Sequence, residues 1–163
     1  MAEYVAKYRA SVRISLPHQE PIAGALALSP YSEHRDGPQT LLELLNSPQR
    51  ALPFVLQNED VLLVTRLNIH FVVAGPEVPD AYICPPSFVV SREEQVHVTF
   101  ADGHNIAGRI QIELPDDLNR TSDFLNAAED FFALRSRAGV VLVNKSRMRD
   151  MRVTEPSPRP VEI

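Results

Sequence analysis

Cysteine is nearly missing from this chain. Cys84 is the single one in 163 residues. One thiol excludes an internal disulfide and cannot build a zinc cage by itself. Tryptophan is absent, and there are only six glycines. The sequence has no Gly-x-Gly-x-x-Gly, no phosphate-binding loop and no Gly-x-Ser-x-Gly elbow, so the common nucleotide-binding and hydrolase signatures are not there. No apolar run approaches the length of a membrane span. The opening residues, MAEYVAKYRA, lack the apolar stretch of a secretory signal. Together these features give the expectation of a cytoplasmic protein with no membrane span. Positive charge is in deficit: 16 Lys and Arg stand against 21 Asp and Glu, a net charge of −5. No global positive field draws the chain to nucleic acid or anionic lipid. What remains is 44% hydrophobic residues with 14 prolines, an ordinary globular apolar content.

The informative feature is internal repetition. Val12–Leu28 (VRISLPHQEPIAGALAL) aligns without a gap on Val96–Ile112 (VHVTFADGHNIAGRIQI) at an offset of 84. Ile22-Ala23-Gly24 meets the identical tripeptide Ile106-Ala107-Gly108. The offset then falls to 80, where Leu45-Asn46 meets Leu125-Asn126 and Leu52 and Phe54 meet Phe132 and Leu134. It falls to 79 where VLLVTR (61–66) meets VVLVNK (140–145) and Ile69 meets Met148. Both changes of offset lie where loops are expected, and loops tolerate insertion.

Periodicity assigns the local structure. Val96, Val98 and Phe100 alternate with polar residues, as in a half-buried strand. Asp102-Gly103 is a hairpin signal leading into a strand from Ile106. Gly24 and Gly108 lie within strands, where glycine marks a bend, a bulge or a close backbone approach. Thr40 is placed to cap a short helix over Leu41–Leu45, and Thr121 or Ser122 one from about Asp123. Phe131–Arg135 reads as a third strand. Val140–Val143 is apolar on both faces, which predicts a central strand. The pattern therefore gives a mainly β protein of two tandem strand-strand-helix-strand-strand units. These are residues 1–73 and 96–153, joined by a proline-rich connector at 74–95 and followed by a loose tail at 154–163. A unit this small is marginal alone, so the two are expected to pack as sheets or barrel-like units about a pseudo-twofold axis.

The order Gly108-Arg109-Ile110, Thr121-Ser122-Asp123-Phe124-Leu125-Asn126, Phe131–Leu134 and Leu142-Val143-Asn144-Lys145 resembles a small bacterial domain family of unknown function. The first unit keeps Gly24-Ala25-Leu26, Leu45-Asn46 and Val64-Thr65-Arg66 and lacks the Arg and the Ser-Asp. The resemblance implies a bacterial cytoplasmic module and no catalytic residues. The strand layout is also similar to Sm-like and SH3-like barrels, a likeness of architecture only.

Few residues suggest chemistry. Asp123 in a first helical turn serves the helix dipole, and Asn46 and Asn126 suit left-handed helix caps. His97, Asp102 and His104 share one predicted hairpin, but no helical His pair or Cys pair supports a metal there. His34 and His70 stand isolated. No catalytic residue, cofactor or metal is assigned. The clearest signal is a run of basic residues in the second unit: Arg135, Arg137, Lys145, Arg147 and Arg149. An extended 145–149 segment would put Lys145, Arg147 and Arg149 on one face. These five are the candidate partner-binding residues. The expected function is a non-enzymatic protein-binding or assembly module that offers a sheet edge or the groove between units to another protein. Nucleic acid or another anionic partner on the basic face is one alternative, and a small-molecule site between the units is the other.

Overall fold

The structure, a computed structural model, describes residues 7–86, 92–112, 121–127 and 129–155. The first half runs β1 (Tyr8–Ser15), β2 (Ile22–Leu28), α1 (Leu41–Leu45), β3 (Ala51–Leu56), β4 (Val61–Thr65), a 3-10 turn at Arg66–Asn68 and β5 (Phe71–Ala74). After a 3-10 turn at Asp80–Tyr82 come β6 (Arg92–Phe100), β7 (Asn105–Ile112), α2 (Thr121–Leu125), β8 (Phe131–Ser136), β9 (Gly139–Asn144), a 3-10 turn at Lys145–Arg147 and β10 (Met148–Glu155). The protein is mainly β. All ten strands form one antiparallel sheet in the order β10-β6-β7-β8-β9-β5-β1-β2-β3-β4.

The four-strand units read from the pattern each gain a further strand. β5 is only four residues long and apolar on both faces, so neither length nor alternation marks it. The barrel-like closure expected from the sequence does not occur. β4 and β10 stand at opposite ends of the sheet. The joining edges are instead β5 and β9, which pair Phe71 with Val143, Val72 with Leu142 and Val73 with Val141.

Two hydrophobic cores follow from this order. One gathers Val12, Ile14, Leu26, Leu28, Leu41, Leu45, Leu52 and Phe54 from the first half. The other gathers Val96, Val98, Phe100, Ile110, Ile112 and Leu134 from the second. The strands at the joint serve both, because alternate side chains leave opposite faces of a strand. Val72 and Leu142 enter the first core, while Phe71, Val141 and Val143 enter the second. The apolar run Val140–Val143 is central for this reason.

Two local features fix the first half, and the second of them recurs in the other half. Thr40 accepts from the Glu43 N–H while the Glu43 carboxylate accepts from the Thr40 N–H, a capping box on α1. Gly24 and Gly108 are places of close approach. A Cβ on Gly24 would lie 2.5 Å from the Val55 carbonyl oxygen and 2.6 Å from Phe54 Cζ. One on Gly108 would meet the Arg135 carbonyl oxygen and lie 2.7 Å from Leu134 Cδ2.

Asn46 departs from the expected left-handed cap. Its φ is −95°. Its amide is used elsewhere: Oδ1 accepts the Phe131 N–H at 2.7 Å and Nδ2 donates to the Phe131 carbonyl at 3.1 Å. It ties the end of α1 to the start of β8. Positions 87–91 of the connector, positions 156–163 of the tail and the side chains of Ser122 and Asp123 lie outside the described residues, so their expected roles carry no structural statement.

Candidate functional site at the joint of the two halves

The joint is more than the β5–β9 ladder. Asn144, fully buried, donates from Nδ2 to the carbonyls of Leu67 and Ile69, and its Oδ1 accepts from the N–H and hydroxyl of Ser146. Arg66, 7% exposed, donates to the carbonyls of Gln49 and Leu45 and reaches Asp130 at 3.0 Å. A buried guanidinium needs such a full set of acceptors. In the sequence these residues stood within the repeated segments VLLVTR and VVLVNK, with nothing to name their partners.

His70 follows the 3-10 turn and enters β5. Its N–H donates to the Ser15 carbonyl, and its own carbonyl accepts from Asn144. Its ring stacks on Phe100, centroids 4.9 Å apart and planes 3° apart. Phe100 ends β6, so the β6–β7 turn brings Asp102 and His104 to the same spot. Asp102 Oδ2 lies 3.6 Å from His70 Nδ1 and 3.0 Å from His104 Nδ1. Asp102 also accepts the backbone N–H of His18 and of His104, so both halves orient it. Burial pulls His70 below the usual histidine range, partly opposed by the Asp102 carboxylate. Burial alone would raise Asp102, but the two N–H donors and the neighbouring imidazoles hold it below the ordinary range.

Of the three hairpin residues considered together in the sequence, Asp102 and His104 meet and His97 does not join them. His97 lies between the core residues Val96 and Val98 on β6 and so faces the other side. His70, isolated in the sequence, completes the group. It is 32 positions from Asp102, and only the sheet order brings them together.

The basic residues divide. Arg135 and Arg137 are exposed, on β8 and in the β8–β9 turn. Lys145, Arg147 and Arg149 do not form one extended row, because 145–147 is a 3-10 turn. Lys145 Nζ donates to the carbonyls of Phe124 and Ala127 and lies 5.4 Å above the Phe124 ring. It caps the end of α2 as Arg66 caps α1. Burial lowers the Lys145 pKa, countered by Glu129 and Asp130. Arg147 donates to the Leu67 carbonyl and to Asn68 Oδ1, and Arg149 to Asp150. Sequence reading named Arg109 only within the Gly108-Arg109-Ile110 motif and did not join it to the basic residues; it stands directly opposite Arg135 across β7 and β8.

At the far end of the sheet, β4 exposes apolar side chains. Val61 is 58% exposed and Leu63 69%. Ala51 and Pro53, on the adjoining strand β3, are exposed with them. No helix among the described residues is long and apolar enough to cross a membrane.

No family model, curated protein or solved structure matches this chain.

Proposed function

We propose that this protein is a non-enzymatic assembly module whose copies join end to end, β10 of one on β4 of the next. The reading starts from the two halves as copies of one unit. The first five strands stand in the order β5-β1-β2-β3-β4 and the last five in the order β10-β6-β7-β8-β9. Adding five to each label of the first series gives the second. The equivalent glycines, Gly24 and Gly108, meet equivalent residues on the neighbouring strand, Phe54 with Val55 and Leu134 with Arg135. The cations that open the two 3-10 turns, Arg66 and Lys145, cap the two helices. A layout of this kind is similar in strand order to Sm-like and SH3-like units, without closure.

A pseudo-twofold pairing would join like edges. The joint here unites unlike edges, β5 with β9, and so favours a head-to-tail relation. Head-to-tail joints leave a complementary edge free at each end, and these edges are β4 and β10.

One observation carries the proposal. On β9 and β8, Leu142, Val140, Phe131 and Ala133 are covered by the core of the first half. Their equivalents on β4 and β3 are Leu63, Val61, Ala51 and Pro53, and all four are exposed. The same surface is covered in one half and bare in the other. β4 also lacks the lysine, proline or bulge that protects a free edge. Carrying the β5–β9 register over to β10 and β4 sets Met151 opposite Leu63 and Val153 opposite Val61, two apolar pairs. Val153 is itself 39% exposed.

The test is the mass of the full chain in solution by light scattering, across a concentration series. The reading predicts masses at multiples of 18.2 kDa, returning to the single-chain value in Leu63→Lys. A single-chain mass at every concentration refutes it, as does assembly that Leu63→Lys leaves intact.

A second reading rests on Arg109 and Arg135. Like charges directly opposite across a sheet destabilise it; Glu93 lies 3.9 Å from Arg109, and an anion reaching both guanidinium groups would relieve the rest. With Arg137 nearby, they make the basic face suited to a nucleic-acid backbone. Its affinity would fall steeply with salt and be lost in Arg109→Glu with Arg135→Glu. Absent binding at low salt removes this reading.

A further inference from the structure

The geometry points to a divalent transition-metal site formed by His70, Asp102 and His104, bridging the two halves of the chain. One ligand atom from each residue lies within 4.8 Å of the others. Two imidazole nitrogens and a carboxylate are the donors that a zinc-class ion takes when three protein groups hold it and a fourth position stays open. The same facial set also suits ferrous iron.

Proximity alone is common among exposed polar groups. The decisive feature here is His70. It is 2% exposed, and its Nδ1 makes no hydrogen bond. A buried ring nitrogen without a partner is costly, and such exceptions call for an explanation. The His70 nitrogen points toward Asp102 Oδ2 from 3.6 Å, too far for a hydrogen bond but a fitting separation for two ligands of one ion. His104 Nδ1, likewise without a hydrogen bond, sits 3.0 Å from the same oxygen. The surroundings hold the set in place. The Phe100 ring fixes the plane of His70, and the His18 and His104 N–H groups fix the carboxylate. Such outer contacts orient the ligands of metal sites. His104 is 43% exposed on its side chain, which gives the ion an entry path and leaves one side of the site open to solvent.

The ligands come from both sides of the joint. His70 belongs to the first half, between β4 and β5, while Asp102 and His104 belong to the β6–β7 turn. A bound ion would pin the halves together and stabilise the native state by mass action. This does not depend on assembly between copies.

The experiment uses the untagged full chain, stripped with chelator and titrated with Zn²⁺ by calorimetry, and with Co²⁺ by visible absorption. One equivalent of Zn²⁺ per chain is expected, with a rise in melting temperature and a cobalt spectrum of low-coordinate nitrogen and oxygen ligation. His104→Ala, at the exposed edge of the site where folding is least at risk, should weaken Zn²⁺ binding by at least about 100-fold, since even outer contacts of metal sites are worth 10–100-fold. His97→Ala should leave binding unchanged. Absence of stoichiometric binding overturns the inference. So does binding that survives His104→Ala, or that His97→Ala abolishes.

Discussion

Replacing Gly24 by alanine tests the packing of β2 against β3. The new Cβ would stand 2.5 Å from the Val55 carbonyl oxygen, roughly 1 Å short of an ordinary contact of about 3.5 Å. That oxygen cannot swing aside as a side-chain tip can. Val55 is paired on both flanks, with Ala25 on β2 and Val61 on β4, so relief requires β3 and β4 to move together. Phe54 Cζ, 2.6 Å away, belongs to a fully buried ring and has no free volume to enter. Overpacking of this kind costs about 1–3 kcal/mol. Loss of glycine freedom in the unfolded chain returns about 0.4–1 kcal/mol. The net expectation is a loss of about 1–2 kcal/mol, or roughly 2–8 °C in melting temperature for a chain of this length. Gly108→Ala should behave alike, because its Cβ meets the Arg135 carbonyl and Leu134. Scanning calorimetry reads both. Alanine that raises the melting temperature at either position would refute the close-approach argument.

Three further outcomes are expected. Asn144→Ala leaves the Ile69 carbonyl unpaired at the joint, while the Leu67 carbonyl keeps Arg147, and should cost about 1–3 kcal/mol in urea unfolding, the penalty for one buried group left without a partner; a loss below about 0.5 kcal/mol would contradict the role given to it. Thr40→Ala removes the hydroxyl that accepts the Glu43 N–H and should cost about 1 kcal/mol, read from the same unfolding curves. Burial opposes the Glu43 charge, but the Ser32 hydroxyl, the Thr40 N–H and Arg35 outweigh it and lower its pKa. Its contribution to stability is therefore full above the unfolded value of about 4.3 and is lost as pH falls through the lower folded value. Glu43→Gln should be less stable at neutral pH, and the gap from the native chain should close on acidification.

Much of the fold was legible because it rests on local rules. Val96, Val98 and Phe100 alternate, and all three are buried. Thr40 and Glu43 have the spacing of a capping box and form one. The doubly apolar Val140–Val143 lies at the centre of the sheet. The parts that escaped depend on how distant strands meet. β5 is too short to show a period. Lys145 and Arg147 read as surface charge, yet their donors are taken up by carbonyls at the end of α2 and in the Arg66–Asn68 turn. Asn46 is the helix cap expected, but not in the left-handed form, because its side chain is taken by Phe131, 85 positions away. For the candidate site, the hairpin pattern supplied Asp102 and His104 and could not supply His70. No spacing rule links a residue entering β5 to a turn after β6 until β5 is known to pair with β9.

The most direct test of end-to-end joining is an experimental structure of the assembled protein, by crystallography or electron microscopy. β10 of one copy should lie antiparallel to β4 of the next, with Met151 opposite Leu63. A joint between two β4 strands, or an assembly that leaves β4 uncovered, would contradict it.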